Sequence, residues 1–138
     1  MKRFITLGAL IAALALVTAS GFVVPTVRAD GVIPLHNATA ETGTDCPVGG
    51  AAYWHFVLAP NGGGYSFTSI TLAFTGGGTQ TFTGSAIIPN KAQTDNVFIA
   101  VPAGRALTDL VTTGSFAAYT GVGTPNQFNL SHVCPGTV

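Results

Sequence analysis

The chain has 138 residues, with five basic and five acidic side chains, 47% hydrophobic residues and only 7% charged ones. That length fits one domain, and the apolar fraction excludes an ordinary disordered chain. With no stripe of Lys and Arg to neutralise phosphates, the composition excludes a basic nucleic-acid binder, and it excludes an acidic tail.

The first elements are those of a secretory leader. Lys2 and Arg3 supply a positive start, and Phe4 to Val17 is an uncharged, mostly apolar run. Val27-Arg28-Ala29 offers a small residue at the cut position, with Pro25 just upstream. The pattern predicts a signal peptide over residues 1–29 and a secreted domain over 30–138, with cuts after Ala19 or Gly21 as alternatives. The competing reading is an uncleaved anchor over Phe4 to Val24. Loss of residues 1–29 removes Lys2, Arg3 and Arg28, so the 109 residues that remain carry a net charge of −3. Their surface must be polar through Thr, Ser, Asn, Gln and Gly, which gives no long-range field to steer an ionic substrate.

Two cysteines remain, Cys46 and Cys134. In an exported chain an even pair most simply forms one disulfide, with free thiols or intermolecular links as the competing reading. A loop of that size is worth about 4–5 kcal/mol in the chain-entropy account.

Residues 30–52 show little periodicity. Val32 to Leu35 reads as a short edge strand, because Pro34 forbids a central one, and Asn37 to Gly50 reads as loop. Tyr53 to Leu58 is aromatic and β-branched, with Trp54, Phe56 and Leu58 on one face and Tyr53, His55 and Val57 on the other. Ser66 to Thr75 alternates, with Ile70, Leu72 and Phe74 on one face. Thr79 to Ile88 reads as a strand broken or bulged at Gly84, and residues 89–95 as a charged loop. Asn96 to Val101 is a strand; Leu107 to Thr112 and Ser115 to Tyr119 are two short ones; Gln127 to Cys134 is the last. The pattern predicts an all-β fold, a single immunoglobulin-like or prealbumin-like β-sandwich of seven or eight short strands, with almost no helix.

Candidate chemistry is sparse. His36, His55 and His132 lack the paired spacing of a zinc or copper site; His55 and His132 are the weak metal candidates. Alternation puts His132 on the core face with Phe128 and Leu130, and leaves His55 half exposed on the opposite face from Trp54. Ser131 and His132 point to opposite faces and form no dyad. The acids Asp30, Glu41, Asp45, Asp95 and Asp109 suggest no carboxylate pair for glycoside chemistry, since Asp109 alone has strand support. Gly62-Gly63-Gly64 and Gly76-Gly77-Gly78 read as hairpin turns, with no Lys-Ser/Thr after them. Tyr53, Tyr65 and Tyr119 could form a sugar-binding platform if exposed; Trp54 is expected in the core. No catalytic residue, enzymatic activity or cofactor is expected.

Asp45-Cys46-Pro47, Trp54-His55-Phe56-Val57-Leu58 and Phe128-Asn129-Leu130-Ser131-His132-Val133-Cys134 together resemble a group of small secreted bacterial proteins. These carry a Trp-His-Phe-Val strand near the start of the domain and end in a Leu-Ser-His-Val strand with a Cys. They also occur as modules of larger surface proteins. The resemblance spans about residues 45–134 and implies an extracellular β-sandwich with a Cys pair, with no catalytic residues to carry over. The expected function is therefore a secreted, non-enzymatic structural or adhesion module at the cell surface. The alternatives are a soluble carbohydrate or small-ligand binding module and a small metal-binding protein using His55 and His132. Partners would be an envelope component or, through an unprotected edge over residues 66–75, a second copy. Neither nucleic acid nor, after cleavage, membrane is expected.

Overall fold

A computed structural model describes residues 29–136. The expected leader therefore lies, apart from Ala29, outside the described residues. The fold is all-β and sandwich-like, as the alternation predicts. Its strands are β1 (Gly31–Asn37), β2 (Glu41–Thr42), β3 (Tyr53–Ala59), β4 (Tyr65–Phe74), β5 (Thr79–Thr83), β6 (Ile88–Asn90), β7 (Gln93–Ala100), β8 (Leu110–Gly121) and β9 (Gln127–Cys134). They follow the order β5-β4-β8-β1-β9-β3-β7-β6, with β2 also paired to β9.

One strand joins the two halves of this order. Residues 31–34 of β1 pair antiparallel with β8, and Leu35 and Asn37 pair parallel with β9. Pro34 stands where the strand changes partner. A proline removes one ladder donor, so it is tolerated where a strand is an edge. Here β1 is the last strand of each half. In the whole order β1 is central, between β8 and β9, so the edge expectation is met only locally, residues 31–34 pairing on the β8 side alone; the strand also runs on to Asn37 and is continued by β2 along β9. The segment read as irregular is thus in part a strap across β9.

The core lies between the halves. Trp54, Phe56 and Leu58 of β3, Ile70, Leu72 and Phe74 of β4, Val97 and Ile99 of β7, and Phe128 and Leu130 of β9 are all buried. Each such side chain contributes about 1.5–3 kcal/mol on burial. Tyr65 and Phe67 join this core although their parity differs from that of Ile70. Between Phe67 and Ser69 the strand spends two residues against one step of β8, so Thr68 is an extra residue that resets the alternation.

A second irregularity lies in β8. Thr71 and Ala73, two residues apart, face Phe116 and Val111, so residues 112–115 bulge outward. Buried Ser115 fills the gap: its Oγ accepts from the Ala73 N–H (2.8 Å) and donates to the Val111 carbonyl (2.6 Å). Gly114 makes the bend at φ +84°, a conformation that disfavours side chains.

Several expectations are corrected. Leu107–Asp109, read as the start of a strand, is a short 3-10 turn tied by Asp109 accepting from the Ala106 N–H at 2.8 Å, and the two short strands expected over Leu107 to Thr112 and Ser115 to Tyr119 are otherwise one bulged strand, β8. Thr79 to Ile88 is not one strand: a 3-10 turn over Gly84–Ala86 divides β5 from β6. Residues 89–95 form no open loop, because β6 and β7 pair there as a tight hairpin. Residues 66–75 are no edge, since β4 lies between β5 and β8. The Gly76–Gly78 turn folds β5 back over it, so β5 is the edge. Among the described residues no helix is long and apolar enough to cross a membrane.

Candidate functional site

Two of the three histidines, His55 of β3 and His132 of β9, meet at the outer face of these strands. Alternation counted back from Leu130 would put His132 in the core. Instead, Phe56 faces Leu130 and His55 faces His132, so Ser131 is an extra, exposed residue in β9. This bulge turns His132 and Cys134 to the outer face, beside His55 and Tyr53. The expected placement of His132 with Phe128 is thereby corrected.

His55 is also not half exposed; it retains 4% of its accessible surface. The His132 and Phe98 rings and Asn96 enclose it, and the strap lies over His132. Gly43 lies directly on the His132 ring, where a Cβ would overlap Cγ and Cδ2. Its N–H donates to the Val133 carbonyl at 2.9 Å. Phe98, opposite His55 on β7, stacks on its ring with centroids 4.5 Å apart. The strap then reaches Cys46, which is bonded to Cys134 across 88 residues of sequence with Cα atoms 5.8 Å apart. The expected disulfide is present, and the described residues hold no free cysteine.

The two rings form part of a hydrogen-bonded chain. Asn96 donates its Nδ2–H to Asn61 Oδ1 (3.4 Å), which turns its Oδ1 to His55. His55 Nε2–H donates to that oxygen, so His55 Nδ1 is the acceptor for His132 Nδ1–H at 3.0 Å. His132 Nε2 faces the Asp45 carbonyl oxygen at 3.1 Å. A carbonyl only accepts, so this last bond also needs a ring N–H. The three bonds use one proton more than two neutral imidazoles carry. Burial, followed by the charge of His132, pushes the pKa of His55 from its ordinary 6.5 down to about 4.

Asp45 closes the site on the solvent side. Its Oδ2 accepts from Asn90 Nδ2 (3.0 Å) and lies 3.7 Å from Lys91 Nζ. That hydrogen bond, and then the Lys91 charge, hold its carboxyl below the ordinary carboxylate range. Both partners of the ion pair are well exposed, so it adds little stability. A cleft of about 220 Å³ opens beside the disulfide, lined by Cys46, Pro47, Ile88, Pro89, Lys91 and Phe98 among others.

The remaining candidates are dispersed. Tyr65 and Tyr119 are buried and meet edge to face at 6.3 Å; Tyr65 also donates to the Thr124 carbonyl at 3.2 Å. Tyr53 alone of the three is half exposed. Trp54 is in the core as expected. Asp95 is not in a loop but buried on β7, where its carboxylate accepts from the Gly62 N–H (2.7 Å) and secures the Gly62-Gly63-Gly64 turn. Asp30 accepts from Thr120 and Gly121, Glu41 is exposed on β2, and His36 is exposed on β1. Gly43 and Asn96 complete the histidine site without having been singled out in the sequence, and Asp45, weighed there as an acid, joins it through its backbone carbonyl.

No protein-family model matches the chain, and comparison with curated proteins and with solved structures finds no match.

Proposed function

We propose that the chain is an exported, non-enzymatic β-sandwich that serves as a structural or adhesive module at the cell surface or in the extracellular space. The observation that carries this reading is the Cys46–Cys134 disulfide, which ties the N-terminal strap to the last strand. Such a bond persists in oxidising compartments and is rare in the cytosol. The apolar leader pattern, the low charge and the resemblance to small secreted bacterial sandwiches point the same way. The ionisable groups support it too: Asp95 and Asp109 are taken up by turns, and His55 is buried against Phe98 and Asn96. A sugar platform is less well supported, because two of its three rings are spent on the core.

The test is to express the full chain in a bacterium, separate cytoplasm, envelope and medium, and treat each fraction with a thiol-alkylating reagent before and after reduction. The expected result is a shortened chain outside the cytoplasm whose cysteines react only after reduction. Full-length chain in the cytoplasm with reactive thiols would overturn the reading.

A further inference from the structure

We propose that Cys46, Cys134 and His132 form a latent site for one thiophilic divalent cation of the zinc class, opened when a dithiol reduces the disulfide. The proposal concerns the thiol form of the protein and does not rest on the export reading.

The donors are already gathered. One ligand atom from each of the three residues lies within 4.8 Å of the other two. Tetrahedral zinc, with bonds of about 2.3 Å to sulfur and 2.0–2.1 Å to nitrogen, sets its donors roughly 3.5–3.8 Å apart. After reduction the sulfurs must part to that spacing. Cys134 is fixed as the last residue of β9, whereas Cys46 stands on the irregular stretch after β2, free to make that adjustment.

The hydrogen-bonded chain prepares the third donor. Metal-bound histidines usually donate their other ring N–H to an acceptor that fixes the tautomer. His132 does so through Nδ1–H to His55, which is fixed in turn by Asn96. His132 Nε2 is left as the atom that needs an electrophile. In the disulfide form a proton serves, bonded to the Asp45 carbonyl. That same carbonyl lies 4.0 Å from Cys134 Sγ, so Nε2 and the sulfur flank one backbone oxygen. A metal ion would take the place of that proton. His55 is then a positioning residue, not a ligand. The fourth position faces the cleft beside Cys46 and takes water.

The chemistry balances. The dithiol gives two electrons and two protons to the Cys46–Cys134 bond and becomes a disulfide itself. Two thiols result. On binding, each thiol and His132 Nε2 release one proton. The cleft gives a small dithiol its route to Cys46, which is half exposed where Cys134 is buried.

The test uses the full chain, reduced with a dithiol, freed of it without oxygen and titrated with Co2+ as a probe for zinc. The expected result is one equivalent bound, with thiolate-to-cobalt charge-transfer absorption and the visible bands of a tetrahedral ion, and none from the unreduced chain. His132→Ala should weaken binding by more than about tenfold, and His55→Gln by about 10–100-fold with both thiolates still bound. Should reduction unfold the chain, Co2+ should restore the β-sheet circular dichroism of the parent but not of His132→Ala. Absence of the charge-transfer band, equal affinity in His132→Ala, or an unfolded chain that metal leaves unfolded would each overturn the proposal.

Discussion

Acidification should destabilise this protein through His55. His55 takes a proton at its ordinary value of 6.5 in the unfolded chain but only at about 4 in the fold. As pH falls the unfolded state therefore binds the proton first, and stability is lost between those values. Above the upper value the contribution is fully present; below the lower one no more is lost. For a two-and-a-half-unit difference the loss from about pH 8 to about pH 5 is about 2 kcal/mol. Solvent reaching the pair through half-exposed His132 trims this toward about 1 kcal/mol. The groups facing His55 are His132, Asn96 and Phe98, with Asp45 beyond, whose lowered value confines its own loss to the acid side of 3.8. Urea unfolding of the parent and of His55→Gln across this range is the assay. The parent should lose more than the variant by the stated amount. Parallel curves, or a parent that gains on acidification, would refute the assignment of a buried, neutral His55.

Ser115→Ala should cost about 1–3 kcal/mol in urea unfolding, because it strands the Ala73 N–H in the bulge of β8. Gly43→Ala should lower the thermal midpoint and raise the alkylation rate of Cys46 after reduction, since the added Cβ displaces the strap from His132; an unchanged midpoint would contradict that packing. Replacing both cysteines by Ser should cost about 4–5 kcal/mol for a sequence separation of 88, read as a lower urea midpoint with a steeper slope, because the unfolded chain without the cross-link exposes more surface.

The core was legible because alternation is a local property. Trp54, Phe56 and Leu58, like Ile70, Leu72 and Phe74, needed only a period of two to be assigned to one face. What sequence reading missed follows from extra residues. The bulge at Ser131 moves His132 across the sheet, and no residue type around it announces the change. Thr113 and Gly114 read as a gap between two strands, whereas Ser115 closes the ladder with its own hydroxyl. The burial of His55 depended on partners from other strands, Phe98 and Asn96 of β7 and the displaced His132, which alternation within β3 does not reveal. The pairing of the two cysteines was accessible from their number alone, and the histidine between them was not.

The parallel run of β1 beside β9 has a mechanical consequence. Tension between the two ends of the domain would load those hydrogen bonds side by side in shear, so that they must yield together and not one after another. Past Cys46 the load would cross directly to Cys134 through a covalent bond, bypassing the stretch of chain between them, a sequence separation of 88. Only the strap ahead of Cys46 could then peel away and lengthen. Under tension the domain would behave as a short tether with a fixed stop, giving a little slack and then holding.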